Sequence, residues 1–262
     1  MTFDELLRAA RGSEELVMPL SWSQGRATFG GLTAALMFER MEKLVVEGRA
    51  MRSLQVSFVG PVEPEVPASF EAEILREGKA VSQVQGRIVQ NGEPRLVCLA
   101  SFGGDRDSEV QVDALPAPEA TPIIECPGLD YIEGVTPEFI QQIEMRWAFG
   151  NLPFSGKGGR ELGGWMQFRT PPETFSDAHI IGLVDAWPPA VLPYVKQRVK
   201  TSSLSWALDI VHPRPVMEPG DWLLYKVSID QAGAGYGHTQ AGIWTAKGEL
   251  VALSRQTVTV FD

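Results

Sequence analysis

Residues 53–102 decide the fold, through the stretches SLQVSFVGPV (53–62) and ASFEAEILREGKAVSQVQGRIVQNGEPRLVCLASF (68–102). Both stretches are rich in strand-forming residues, and the first breaks at Gly60-Pro61. Glu77-Gly78-Lys79 and Asn91-Gly92 interrupt the second stretch at points where a hairpin turn is expected, and Asn-Gly is the strongest short hairpin signal. The region therefore predicts an antiparallel meander.

A helix is predicted immediately before this meander, over LTAALMFERMEKLVVEG (32–48). Apolar residues recur there near helical spacing, and Gly48 ends the run. A shorter helix is expected at about residues 2–11, closed by Gly12. A third is expected in SDAHIIGLVDAWPP, with Ser176 or Asp177 as the N-cap and Pro188-Pro189 as the stop.

The second half of the chain repeats the first. SLQVSF begins at Ser53 and its turn glycine is Gly92, whereas SLSWAL begins at Ser203 and its turn glycine is Gly248. Each half presents a helix followed by a meander, and a repeat of this length indicates a duplicated domain rather than a solenoid. The order predicts an α+β fold in which an antiparallel sheet covers a helix on one face. We expect one unit at 1–103, a linker at 104–137 that is rich in Pro, Ala and acids, and a second unit at 138–262.

Composition excludes several classes of protein. Hydrophobic residues make up 44% of the chain and charged residues 21%, which supports a sizeable core. The net charge of −10 disfavours a nucleic-acid partner and an anionic membrane surface. The two cysteines, Cys98 and Cys126, lack CxxC spacing, and three histidines form no cluster. We therefore expect a reduced, cytoplasmic protein without a structural metal.

The ordered set of motifs resembles the double-hotdog acyl-CoA thioesterases, the type II (TesB-like) family. TFGGLTAALMF and the meander carry the resemblance in the first half, and DAWPPAVLP, DWLLYKV and GELVALSRQTVTV carry it in the second. The resemblance implies a double hotdog fold, that is, two tandem units in which an antiparallel sheet wraps a long helix. It also implies hydrolysis of a small-molecule acyl-CoA substrate without metal or cofactor, by a water that a carboxylate, a hydroxyl and a Gln position.

Gln256 is the site residue that the resemblance indicates most directly, because KGELVALSRQ matches the family's last hairpin without a gap. Its amide offers both a donor and an acceptor to a water. Asp230 stands where the family usually has Thr or Ser, and is a candidate general base. The family's acid is expected in SLSWALDIV, where Ser205, Trp206 and Ala207 are the candidate positions and none is acidic. Ser205 is retained as a candidate catalytic residue. Asp209 shares a face with Ser205, so either Asp209 or Asp230 is expected to replace the acid.

Four further residues are expected to bind substrate. Gly30 and Gly31 open the long helix, where free backbone N–H groups can approach a thioester oxygen. Gln24 and Arg26 precede them and are candidates for contact with the pantetheine or phosphates of CoA. Asp185 is interpreted as a polar contact at a helix end, with a position in the cleft between the halves as the alternative.

Two other functions remain open from the sequence. A non-catalytic protein that binds acyl-CoA is favoured by the missing strand Asp. A hotdog enoyl-CoA hydratase is disfavoured, because no paired Asp and His follow a helix start. Further association into a homo-oligomer is compatible with open sheet edges.

Overall fold

The computed structural model describes residues 1–261 as three α-helices and thirteen β-strands. The helices are α1 (Phe3–Gly12), α2 (Gly30–Glu42) and α3 (Asp177–Val184). The strands of the first half are β1 (Glu15–Val17), β2 (Ser23–Gln24), β3 (Ala27–Thr28), β4 (Ala50–Phe58), β5 (Pro67–Glu77), β6 (Val81–Gln90) and β7 (Glu93–Gly103). Those of the second half are β8 (Ile143–Phe149), β9 (Glu161–Phe168), β10 (Lys200–Ile210), β11 (Leu223–Gly233), β12 (Tyr236–Thr245) and β13 (Leu250–Phe261).

Eleven strands form one antiparallel sheet in the order β1-β5-β6-β7-β4-β10-β13-β12-β11-β9-β8. The two halves join where β4 pairs with β10, with Val56 opposite Trp206. The meander predicted from residues 53–102 is β4 to β7, and β10 to β13 repeat it in the second half. The predicted α+β class is therefore confirmed.

The two faces of this sheet differ in burial. Along β13 the side chains of Ser254 and Val258 are buried, while those of Leu253 and Arg255, on either side of Ser254, are exposed. This alternation is the period of two that a strand imposes. We call the face that carries Ser254 and the helices the inner face, and the face that carries Arg255 the outer face.

Helix α2 lies on the inner face against β5, β6 and β7, and it also contacts α1 and α3. Its side chains are buried almost all round, as expected of a helix that is enclosed by a sheet and two other helices. Gly86 permits the close approach, because a Cβ there would lie 2.8 Å from Met37 Cε and Met41 Sδ. The helix ends at Glu42, earlier than the predicted stop at Gly48.

Helix α3 has only eight residues and is not the long helix that the resemblance implies for the second unit. Ser176 is its N-cap, and its last helical residue, Val184, precedes Pro188 by four positions. Asp185 is the C-cap residue. The helix is anchored at its start, because His179 contacts Asp4 of α1 through Nε2 and Oδ1 at 2.7 Å.

The linker between the halves crosses the outer face of the second unit. The indole N–H of Trp244 donates to the Leu115 carbonyl at 3.0 Å, and that of Trp165 donates to the Thr121 carbonyl at 2.9 Å. These two bonds hold the linker over a small apolar cluster that includes Leu224. No helix within residues 1–261 is both long enough and apolar enough to cross a membrane.

Candidate functional site

Gln256 lies near the middle of the sheet, on the inner face of β13. Trp206 of β10 is opposite on one side and Thr239 of β12 is opposite on the other. The side-chain amide Nε2 donates to Oδ1 of Asp185 at 2.8 Å. Two side chains that are 71 residues apart in sequence therefore meet at the centre of the molecule.

Asp185 reaches Gln256 from the C-terminal end of α3. It also accepts a hydrogen bond from the backbone N–H of Gly31, in the first turn of α2. The first N–H groups of a helix have no partner within the helix, so a carboxylate is well suited to this position. The site thus joins both halves of the chain, with α2 from the first and Asp185 and Gln256 from the second.

Two glycines make this meeting possible. A Cβ at Gly31 would lie 2.8 Å from the carbonyl oxygen of Gly182, so the absence of a side chain lets α2 approach α3. A Cβ at Gly30 would lie 2.6 Å from Oδ2 of Asp185 and 3.0 Å from the ring of Phe58. Gly30 therefore leaves the space that the carboxyl occupies. The two residues were predicted to face a thioester oxygen, but the Gly31 N–H is engaged with Asp185 in this structure.

Burial sets the protonation of Asp185. The residue keeps partial contact with solvent, but its carboxyl lies deep among protein atoms. This desolvation raises its pKa from 3.8 to about 7, against the opposing hydrogen bonds from Gln256 and Gly31. A carboxyl that gains and loses a proton near neutral pH is suited to general acid–base catalysis.

Two aromatic side chains pack together near Asp185 on the side of β11. Trp187, two residues after Asp185, stacks on Tyr225 with ring centroids 5.8 Å apart and planes inclined by 3°. Gly164 of β9 makes room for this indole, because a Cβ there would lie 2.9 Å from Trp187 Cη2. Burial and the nearby charge of Asp185 raise the pKa of Tyr225, so its phenol is protonated at neutral pH.

Two hydroxyl side chains lie beside Gln256 on the same face. Thr239 is its direct partner on β12 and is buried. Ser203 of β10 is opposite Val258, the next inner-face residue along β13. Direct cross-strand partners have Cβ atoms about 5 Å apart, and diagonal partners are somewhat farther apart. Either hydroxyl is placed to contact a water held by Gln256.

Asp230 lies on the other face of the sheet. Its Oδ2 pairs with Nη2 of Arg255 at 2.8 Å. Arg255 precedes Gln256 in the strand and points to the outer face, because successive side chains alternate. The prediction that Asp230 acts beside Gln256 therefore needs correction, because the sheet separates the two side chains.

Asp209 and Ser205 are also turned away from Gln256. Asp209 pairs in register with the exposed Leu253, and Ser205 pairs with Thr257, so both lie on the outer face. Both are exposed. They share a face with each other, as predicted, but it is the wrong face for contact with Gln256. The acid that contacts Gln256 is Asp185 instead.

Gln24 and Arg26 belong to the β2–β3 hairpin that precedes α2, and both are exposed. The hairpin is tied to the start of the helix, since the Phe29 N–H donates to the Trp22 carbonyl at 2.8 Å. Contact of Gln24 or Arg26 with a substrate stays a prediction. Within residues 1–261 no group of three or more His, Cys, Asp or Glu side chains is arranged to hold a metal ion.

One signal in the sequence pointed to Asp185. The helix dipole disfavours an acid at a helix C-terminus, yet Asp185 follows the apolar run IIGLV directly. Such a residue needs a compensating partner, and the N-terminus of α2 and the Gln256 amide supply it. The sequence predicts a local polar contact for Asp185 at the helix end, with the cleft as the alternative, and the structure places its carboxyl against Gln256.

Comparisons with known proteins agree over both halves. A family model described as the acyl-CoA thioesterase N-terminal domain matches residues 18–103, and one described as the C-terminal domain matches residues 113–260. The acyl-CoA thioesterase 2 of Haemophilus influenzae is 24% identical over 255 residues, which cover 88% of this chain and 86% of that protein.

Solved structures share the fold. A hot dog fold protein of unknown function from Alicyclobacillus acidocaldarius superposes with a TM-score of 0.81 at 20% identity, covering 95% of this chain and 92% of the other. The acyl-CoA thioesterase II of Mycobacterium marinum gives a TM-score of 0.73 at 22% identity, covering 99% and 98%. The predicted double hotdog fold is therefore confirmed.

Proposed function

The chain belongs to the acyl-CoA thioesterase family and hydrolyses an acyl-CoA to the free acid and CoA, and we propose that Asp185 and Gln256 activate the water in this reaction. The single observation that carries the proposal is the buried Asp185 carboxyl, with its pKa near 7 and its bond to the Gln256 amide. The binding-only and hydratase alternatives are not favoured by the family matches.

The proposed reaction needs no covalent enzyme intermediate. A water lies between the Asp185 carboxylate, the Gln256 amide and a hydroxyl of Thr239 or Ser203. Asp185 takes one proton of the water while the water oxygen forms a bond to the thioester carbon. The tetrahedral intermediate then breaks its C–S bond, and the proton held by Asp185 passes to the departing CoA sulfur. The carboxylate is regenerated and the acid is released.

Positioning supplies most of the catalytic advantage in this scheme. A thioester is already an activated acyl group, so a fixed water and a base tuned to neutral pH suffice for rapid hydrolysis. The N-terminus of α2 places the positive end of its helix dipole beside the site, where negative charge develops on the carbonyl oxygen. We infer that the thioester is held beside the Asp185–Gln256 pair, next to the first turn of α2.

The pH dependence of hydrolysis tests the role of Asp185. We expect kcat/KM to rise with pH, with a midpoint of about 7, because the carboxyl must be ionised to accept the proton of the water. The measurement is thiol release from a panel of short, long and aryl acyl-CoAs between about pH 5.5 and about pH 9. A profile that is flat over this range, or whose midpoint lies near that of an ordinary carboxyl, would contradict the assignment.

Gly30→Ala tests the space around the carboxyl. The added methyl group would lie 2.6 Å from Oδ2 of Asp185, so it must displace the carboxyl or the helix. We expect kcat/KM to fall by about tenfold to a hundredfold, since small displacements of catalytic groups are costly. Gly12→Ala is the matched control, because Gly12 ends α1 and a Cβ there meets nothing within 4 Å. Equal activities in the two variants would show that this space is not needed.

A further inference from the structure

Trp206 is the direct cross-strand neighbour of Gln256, and the proposed reaction gives it no role. The two residues are opposite each other in the register of β10 and β13. Direct partners in an antiparallel pair have Cβ atoms about 5 Å apart and project from the same face of the sheet. Only 1% of Trp206 is exposed, so its indole is buried on the inner face, where Gln256 meets Asp185.

One hydrogen bond sets the direction of the indole. Its Nε1 donates to Oγ of the buried Ser254 at 2.9 Å. Ser254 is two residues before Gln256 on β13 and is opposite Leu208 on β10. These four inner-face residues form a square, with Trp206 and Ser254 on one diagonal and Leu208 and Gln256 on the other. The indole follows the first diagonal and therefore lies between the side chains of Leu208 and Gln256.

This arrangement limits the directions that are open to the Gln256 side chain. The indole closes the side toward Leu208, and the buried Thr239 of β12 lies on the other side. The direction that remains leads away from the sheet to the end of α3, where Nε2 donates to Asp185 Oδ1 at 2.8 Å. A glutamine has several rotatable bonds, and fixing them costs conformational entropy. A rigid wall beside the side chain reduces the number of alternative rotamers.

We propose that Trp206 is a positioning residue for the hydrolysis, because its indole, anchored by Ser254, holds the Gln256 amide against the Asp185 carboxyl. The effect on the rate rests on the proposed function of Asp185 and Gln256. Trp206 touches neither the water nor the thioester in this arrangement and acts only through Gln256. Its replacement should therefore matter only while the Gln256 amide is present.

Trp206→Phe is the test, because phenylalanine keeps an aromatic ring and lacks the N–H that bonds to Ser254. We expect kcat for acyl-CoA hydrolysis to fall by about tenfold with little change in KM, since a looser amide misplaces the water. In a Gln256→Ala background the same substitution should change kcat by less than about twofold, because the two effects are coupled. An equal fall in both backgrounds would show that Trp206 does not act through Gln256 and would overturn the proposal.

Trp244→Phe is the matched control. It also removes an indole N–H bond from a buried strand residue, but Trp244 donates to the Leu115 carbonyl of the linker on the outer face. Its kcat should stay within about twofold of the wild type. A fall as large as that of Trp206→Phe would show that any lost tryptophan bond in the sheet impairs hydrolysis, and this would contradict a specific role for Trp206.

Two further measurements keep the result interpretable. If Trp206→Phe lacks the cooperative thermal transition of the wild type, the comparison uses Ser254→Ala, which removes the acceptor and keeps the indole. The pKa of Asp185, followed by NMR of its side-chain carboxyl, gives a readout that does not depend on activity. Because the Gln256 amide lowers this pKa, Trp206→Phe should raise it in the wild-type background and leave it unchanged in Gln256→Ala.

The NMR titration also separates the two hypotheses. A raised pKa of Asp185 in Trp206→Phe, in a protein that releases no thiol from any acyl-CoA, would support the positioning of Gln256 and refute only the proposed function. An unchanged pKa of Asp185 in Trp206→Phe would refute the positioning role, whatever the rate of hydrolysis.

Discussion

Asp185→Asn is expected to lower kcat/KM for acyl-CoA hydrolysis by about a thousandfold, because an amide cannot take the proton of the attacking water. The same substitution preserves the shape of the side chain and its ability to accept the hydrogen bond from Gly31. Loss of activity would therefore report the loss of the base rather than a collapse of the site. The measurement is steady-state thiol release at about pH 8, where the wild-type carboxyl is ionised.

The stability of this variant gives an independent readout. The folded state holds a proton on Asp185 up to a pH of about 7, whereas the unfolded chain releases it near 3.8. Ionisation of the buried carboxyl thus destabilises the wild type progressively between these values and fully above pH 7. Asn avoids this cost. We compare the free energy of unfolding of Asp185→Asn with that of the wild type at two pH values. We expect this difference to be about 4 kcal/mol more favourable to the variant at pH 8 than near pH 4.

Asp209→Asn is the matched control for both readouts. Asp209 is an exposed acid on the outer face of β10, so its replacement should leave kcat/KM within about twofold and the stability within about 0.5 kcal/mol. Comparable loss of activity in the two variants would contradict the role of Asp185. A stability change in Asp185→Asn that is the same at both pH values would contradict its raised pKa.

Gln256→Ala is expected to lower kcat/KM by about a hundredfold or more, because the water loses one of the groups that hold it. A second effect follows from the geometry. The Gln256 amide lowers the pKa of Asp185 by donating to its carboxyl, so removal of the amide should move the midpoint of the pH profile upward. A purely structural role for Gln256 would not predict this shift. The measurement is the pH dependence of kcat/KM in the variant and the wild type.

Gln240→Ala is the matched control for Gln256→Ala, because it also removes a glutamine side chain from a strand. Gln240 is exposed on β12 and is opposite Arg255 on the outer face. Its replacement should change neither the rate nor the midpoint. A Gln256→Ala variant that has a lower rate but an unchanged midpoint of its pH profile would show that the amide does not affect the Asp185 carboxyl. That result would contradict the proposed pair.

The antiparallel arrangement of the strands was readable from local signals. Asn91-Gly92 and the corresponding Gly248 turn each join two strands of the sheet, because hairpin turns depend on a few adjacent residues. The duplication likewise followed from comparing the two halves. The length of α3 was not readable. Pro188-Pro189 were the predicted stop, but the helix ends at Val184 with Asp185 as its C-cap residue.

The choice of acid shows where local information ends. Asp209 and Asp230 are nearer to Gln256 in sequence than Asp185 is, yet the alternation of side chains places both on the outer face. One residue of register decides the face of a whole strand, and the bulge between Ser203 and Ser205 adds a shift that periodicity alone does not reveal. Asp209 and Asp230 were thus plausible from their places in the family's motifs, and the geometry turns both away from Gln256.

The sequence by itself determined the α+β class, the two repeated units and the buried helix α2, because each follows from neighbouring residues or from matching halves. The resemblance of the last hairpin to the thioesterase family singled out Gln256. Only the tertiary structure decided that Asp185 is the partner of Gln256. That contact requires α2 and α3 to pack through Gly31 and Gly182, and it requires β13 to turn Gln256 inward. Packing between distant elements, rather than any local pattern, therefore creates the site.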